Sequence, residues 1–251
     1  RNEPQFNALR SEVLPALISE RRASGIRQLR IWSAGCATGE EPYSLAIMLR
    51  ELISDIDSWT ITLLATDINE TFLDEARQGL YRTKSFRNET PEVMRNRWFT
   101  AASGGYQLDH SVRNMVLFKP LNLVSDAYPT YESNTMHMDV ILCRNVTIYF
   151  DRETTRQVAS RFQKALIPGG WLIVGHSEPQ ADLYEGFAAR NFENTVFYHR
   201  EKAHSSKREH ASVKHAVPEL PEPLKTLPPV RPLPSTAPAE SEKHARSRTS
   251  E

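Results

Sequence analysis

The chain has 251 residues, 39% of them hydrophobic, with 31 basic and 31 acidic side chains and a formal net charge of zero. That composition suits one ordinary globular domain with an appendage. It gives no electrostatic reason for a nonspecific grip on nucleic acid or an anionic membrane, and no apolar run reaches the length of a bilayer span.

Asn2 is placed to cap a first helix, with Pro4 in its first turn and Phe6, Leu9, Val13 and Leu17 on one face. Pro15 predicts a kink in it. LRIWSA (29–34) reads as the first strand, and Leu45, Met48, Leu49 and Leu52 mark one face of a helix opened by Pro42. TITLLATD (60–67) is a continuous apolar run suited to a buried parallel strand. Asn69 begins another helix, with Phe72, Leu73 and Ala76.

From 99 to 120 the rhythm breaks. Gly104-Gly105 predicts a turn, and Tyr106, Leu108, Val112, Met115, Val116 and Phe118 predict short antiparallel strands, together a small β insertion. Such an insertion reads as an edge elaboration or as a surface that docks a partner by strand addition. MDVILCRN (138–145) is a further buried strand, and Asp151 caps a helix carrying Val158, Phe162, Ala165 and Leu166. GGWLIVGHS (169–177) and NTVFYHR (194–200) are the closing strands. Alternation of strand and helix predicts an α/β class, a doubly wound, mostly parallel sheet with helices on both faces.

After Tyr198 there is no aromatic residue and no glycine, and residues 203–251 hold eight of the sixteen prolines. Residues 1–200 therefore read as the folded domain, and 201–251 as a disordered, partly polyproline linker or tail. A start at Arg1 and a linker at the far end suggest a piece of a longer protein. No signal-peptide pattern opens the chain, and Cys36 and Cys143, at predicted strand ends, read as free thiols of a reducing cytoplasm. The tail histidines 204, 210, 215 and 244 follow no metal-ligand pattern, and no metal is expected.

In doubly wound sheets ligands bind at the carboxyl ends of the strands, where strand order reverses. Three motifs converge there: the loop 35–40 after the first strand, Asp67 ending the second, and CRNVTIYF (143–150) ending a later one. Gly35 and Gly39 let backbone approach a ligand closely. The loop lacks the Lys-Ser/Thr pair of a phosphate loop and carries acids, Glu40 and Glu41, where phosphate would be repelled. Glu40 near a helix N-terminus also complements the helix dipole. A carboxylate at Asp67 can accept the hydroxyl hydrogens of an adenosine ribose. A ligand with an adenosine, no phosphate and two cationic centres fits this set, and S-adenosylmethionine is such a ligand. A nicotinamide cofactor also fits an acid at that strand end, but the chain has no G-x-G-x-x-G.

The segments IWSAGCATGEEPYSLAIML, ATDINETFLDEARQGLY, FKPLNL, DVILCRNVTIYFD and GGWLIVGHSE, in this order, resemble the CheR-type chemotaxis receptor glutamate methyltransferase family over residues 1–200. The resemblance implies a methyltransferase fold and methyl transfer from S-adenosylmethionine to receptor glutamate side chains. It implies cofactor contacts at Glu40, Asp67, Asn122, Leu123, Asn145 and Val146, joined by Gly35 from the loop argument. It places Tyr149 near the transferred methyl, and Arg1 at the arginine that closes the family's N-x-T-x-F-F-R segment. Arg1 and Tyr149 are thus the catalytic candidates. The rest of that segment and the family's N-terminal helical domain lie outside the 251 residues. Thr147 stands where the family has a large aliphatic residue.

The implied partners are chemoreceptor cytoplasmic helices, with a receptor tail peptide at the β insertion. No nucleic acid and no membrane insertion are implied, and the location is cytoplasmic. Plainer readings stand beside these: a packed aromatic for Tyr149, a turn residue for Asn145, a strand-end histidine for His176. Two competing functions are a non-catalytic receptor adaptor that keeps the cofactor fold and a nucleic-acid methyltransferase. Against the second, RNVTIYF lacks the paired prolines of adenine methyltransferases.

Overall fold

The first strand, β1 (Gln28–Ala34), lies in the interior of a seven-stranded sheet in a computed structural model that describes residues 3–86, 92–178 and 181–202. On one side β1 pairs in parallel with β2 (Thr60–Asp67); on the other it pairs in parallel with β7 (Met138–Cys143). Beyond β2 lies β6 (Val116–Pro120), and beyond β7 lies β8 (Leu166–Val174), both parallel. A terminal hairpin of β9 (Ala188–Phe192) and β10 (Thr195–His199) adds two antiparallel strands to β8. The strand order reverses between β1 and β7, which opens a crevice at their carboxyl ends.

The pattern of each strand explains its place. All six residues of β7 are buried, as a strand covered on both faces requires. The one charged residue among them, Asp139, is paired with Arg21 and accepts the backbone N–H of Arg30 at 2.8 Å. Trp32 of β1 is fully buried, packs edge-on against Tyr128 and Phe162, and donates its indole N–H to Thr66 at 2.9 Å.

One core lies on each face of the sheet. The first is built on α3 (Glu40–Leu52), α4 (Glu70–Gln78) and the N-terminal helices, the second on α7 (Arg152–Ala165). Asn69 and Asp151 cap α4 and α7 as expected, Asn69 accepting the backbone N–H groups of Thr71 and Phe72 and Asp151 that of Thr154. The kink expected at Pro15 takes the form of a π-helical turn, Leu9–Val13, between α1 (Glu3–Ala8) and α2 (Leu14–Ala23). The widened turn relieves the clash of the proline ring with the preceding carbonyls. The expected cap at Asn2 and the tail 203–251 lie outside the described residues.

The β insertion is redrawn. Gly104 and Gly105 do turn a hairpin, of β4 (Phe99–Ala102) and β5 (Gly105–Leu108), but its third strand is β3 (Leu80–Tyr81). A side chain at Gly105 would meet the Tyr81 carbonyl at 2.3 Å, so the β3–β5 pairing needs that glycine. Val112 sits in a short helix, His110–Arg113, and residues 116–120 form the parallel edge strand β6. An edge strand has one buried side, so its alternation matches that of a hairpin strand. Among the described residues no helix is long and apolar enough to cross a membrane.

Candidate cofactor and active site

The backbone after β1 turns sharply at Gly35 (φ +79°) and Ala37 (φ +47°), and Gly39 (φ +89°) ends the loop where α3 begins. The N–H groups of Gly35 and Cys36 both donate to the Thr66 carbonyl, at 2.7 and 2.9 Å, which ties the loop to the end of β2. Asp67 completes the tie, accepting from Ala37 N at 2.9 Å and Asn69 N at 2.9 Å. Each carboxylate oxygen thereby keeps lone-pair capacity for a ligand hydroxyl. The loop after β6 joins the same edge, since Leu121 N donates to the Asp67 carbonyl at 3.0 Å.

The two acids of the loop have different tasks. Glu41 is half-buried, accepts the Ser33 hydroxyl at 2.8 Å and pairs with Arg144 at 2.9 Å. Glu40 is exposed toward the crevice, and its local partner is the Thr38 hydroxyl at 2.7 Å. Arg144, with its side chain 6% exposed, also donates to Gln5 at 2.7 Å and lies over the Phe6 ring. Gln5 in turn donates to the Val174 carbonyl at 2.6 Å. This chain of contacts fastens α1 to the carboxyl edge of the sheet, so that Glu3, Phe6, Asn7 and Arg10 form one wall of the crevice.

The crevice is a cleft of about 1470 Å³. Gly35, Glu40, Asp67, Asn122, Leu123, Asn145, Val146 and Tyr149 all line it, drawn from the loops after β1, β2, β6 and β7. Arg1 lies outside the described residues. Asn145 is exposed, with a left-handed backbone (φ +60°), and opens the turn that leads to Tyr149. Tyr149 is 80% exposed at the cleft, which removes the packed-aromatic reading. His176 is an exposed strand-end residue. Phe72 of α4 is exposed and lines the cleft.

Sequence reasoning passed over two residues that matter here. Arg144 was visible only as the middle of CRN, and its partners Gln5 and Glu41 are far off in the chain. Glu178 is a buried carboxylate that gathers backbone N–H groups of residues 145–147. An acid just beyond a buried strand was the available signal.

The cysteines are free and buried. Burial, then the charge of Asp67, pushes the Cys36 thiol up; burial, then Glu178, does the same at Cys143. Neither offers a thiolate nucleophile. Among the described residues no cluster of three or more His, Cys, Asp or Glu is arranged to hold a metal.

The fit to an adenosyl cation follows from the donors and the space. Asp67 and Glu40 face the cleft as carboxylates, and no lysine follows the glycine loop. A Cβ at Gly35 would stand 2.3 Å from Val146 Cγ2, so the loops after β1 and β7 already touch there.

A family model described as CheR methyltransferase, SAM binding domain, matches residues 1–194. The chain is 36% identical over 180 residues to the chemotaxis protein methyltransferase of Borreliella burgdorferi, covering 71% of this chain and 62% of that protein. It is 36% identical over 182 residues to the probable chemotaxis protein methyltransferase of Rhizobium etli, covering 71% and 65%. It is 37% identical over 175 residues to the chemotaxis protein methyltransferase of Escherichia coli, covering 68% and 58%. The chain thus spans less than two thirds of the length of these relatives. A solved putative O-methyltransferase from Nostoc punctiforme is 13% identical with a TM-score of 0.43, covering 77% of this chain and 56% of that one, a likeness too distant to carry weight. By the extent of the family match and the level of identity, the chain belongs to the CheR methyltransferase family, and the matched region is that family's S-adenosylmethionine-binding domain.

Proposed function

We propose that this domain holds S-adenosylmethionine in the cleft and serves a protein that methylates glutamate side chains of chemoreceptors, giving glutamate methyl esters. The observation that carries the reading is the single cleft that unites an acid-bearing glycine loop, Asp67 and an exposed Tyr149 in a chain of this family.

When bound, the cofactor supplies an electrophilic methyl group on a sulfonium. Asp67 would accept the ribose hydroxyls, Glu40 would meet the cationic end, and Gly35 would give the ligand close access to backbone. Asn122, Leu123, Asn145 and Val146 complete the walls. The acceptor needs no strong base, because a free glutamate has a pKa of about 4.3 and is ionised at neutral pH. The protein's task is to align the carboxylate with the methyl and to exclude water. Tyr149 positions the methyl or the carboxylate at the rim, and Arg1 orients the acceptor carboxylate. Transfer between a sulfonium and a carboxylate would cancel opposite charges, so residues that exclude water from the cleft would favour it.

The partners in this reading are the cytoplasmic helices of chemoreceptors, and the location is cytoplasmic. The small sheet of β3, β5 and β4 is the candidate surface for a receptor tail peptide.

Calorimetry with S-adenosylhomocysteine, on this chain and on Asp67→Ala, tests the cofactor site. Transfer of labelled methyl from S-adenosylmethionine to receptor-bearing membranes, released by base as methanol, tests the reaction. Cofactor binding that depends on Asp67, with base-labile transfer, supports the proposal. Binding without transfer to any receptor would favour the adaptor reading, and transfer to oligonucleotide would overturn the substrate class.

A further inference from the structure

The cleft owes part of its shape to a residue outside it. Glu178 is 4% exposed. Its Oε2 accepts the backbone N–H groups of Asn145, at 2.8 Å, and Gly175. Its Oε1 accepts from Val146 N at 3.1 Å, Thr147 N at 2.9 Å and the Thr147 hydroxyl at 2.7 Å.

An ionised carboxylate has about four lone-pair sites. Five donors saturate it, and nothing remains for a ligand. Three successive N–H groups aimed at one anion form the concave arrangement that elsewhere grips phosphate. Here the anion is the protein's own side chain. With these N–H groups turned inward, the turn presents Asn145, Val146 and Tyr149 to the cleft. Asn145 has a left-handed backbone, which asparagine tolerates better than most residues, and the bonds to Glu178 fix the turn in that conformation. Thr147 contributes two of the five bonds, one from its backbone N–H and one from its side-chain hydroxyl.

We infer that Glu178 is the positioning residue of the cofactor cleft: its carboxylate clamps the turn after β7 into the shape that receives the ligand. The inference rests on the cofactor reading given above. It says that loss of the clamp weakens cofactor binding beyond any general loss of stability.

Three variants separate these effects: Glu178→Gln, Thr147→Val, and Leu29→Ala as a control. Leu29 is fully buried as the second residue of β1, at the opposite end of the strand from the cleft. S-adenosylhomocysteine affinity by calorimetry is read beside the melting temperature, with amide hydrogen exchange at residues 145–147. Glu178→Gln, which turns an amide NH2 toward N–H donors, is expected to weaken binding at least about tenfold, and Thr147→Val about fivefold. Leu29→Ala is expected to lower the melting temperature with affinity kept within about twofold. Amides 145–147 exchange faster in the first two variants only.

Affinity within about twofold of wild type in folded Glu178→Gln would overturn the inference, given the cost of an unmet buried donor. So would equal weakening in Leu29→Ala. If Glu178→Gln does not fold, Thr147→Val decides by the same criteria. If wild type binds no S-adenosylhomocysteine, the cofactor reading fails. Amide protection then tests the clamp alone: protection unchanged in Thr147→Val would overturn it.

Discussion

Replacing Gly35 by alanine should damage both the fold and the cofactor cleft, through two separable costs. The first is conformational: at φ +79° an L side chain costs about 1–2 kcal/mol. The second is steric. The new Cβ would stand 2.3 Å from Val146 Cγ2, whereas carbon atoms in good contact lie about 3.5–4.0 Å apart. Val146 is stiff at its first side-chain torsion, and the following turn is tethered by Glu178, so the loops must part. Overpacking of this kind costs about 1–3 kcal/mol. Together they predict a loss of about 2–5 kcal/mol in unfolding free energy. Urea titration of Gly35→Ala, Val146→Ala and the double variant measures it. Val146→Ala removes the clashing methyl, so the double variant should recover the steric share, with a coupling of about 1–3 kcal/mol. Cofactor affinity should fall in Gly35→Ala and return in part in the double variant. Additive effects within about 0.5 kcal/mol would refute the claim that these two loops are in obligatory contact.

Other consequences follow from the same geometry. Glu41→Gln removes the carboxylate charge that pairs with Arg144 in a largely buried place, and thermal melts should show a loss of about 2 kcal/mol. Tyr149→Phe, at a position 80% exposed, should change stability by less than about 0.5 kcal/mol while methyl transfer falls, and unchanged transfer would remove Tyr149 from the mechanism. Burial holds the His199 imidazole below its ordinary range, with only partial opposition from the Gly169 backbone. A folded-state pKa below the unfolded one gives stability that is full above the unfolded value of about 6.5 and is lost as pH falls through the folded one. Urea midpoints from pH 7.5 to 5 should therefore fall more for wild type than for His199→Asn, and parallel curves would contradict this.

The elements that carry a strong local signal were legible from the residues alone. β2 is a continuous apolar run, α4 and α7 have acceptor caps at Asn69 and Asp151, and the glycine loop follows a buried strand. In these places local preference and tertiary environment agree, so the pattern is readable. The site residues at the strand ends were legible for the same reason. In a parallel sheet with one reversal of strand order, the carboxyl ends of the strands must gather at one edge.

Tertiary structure alone decided the rest. Residues 116–120 alternate like a hairpin strand, and only pairing with β2 makes them a parallel edge. β3 is two residues long, too short for a periodic signal, and is defined by its partner β5. The division between Glu40 and Glu41 depends on Arg144, about a hundred residues away. Glu178 carried only the weak signal of a lone acid just beyond a buried strand, and such an acid is usually solvated. What buries this one is a set of backbone N–H groups from another loop, and hydrogen bonds between residues distant in the chain leave no period in the sequence.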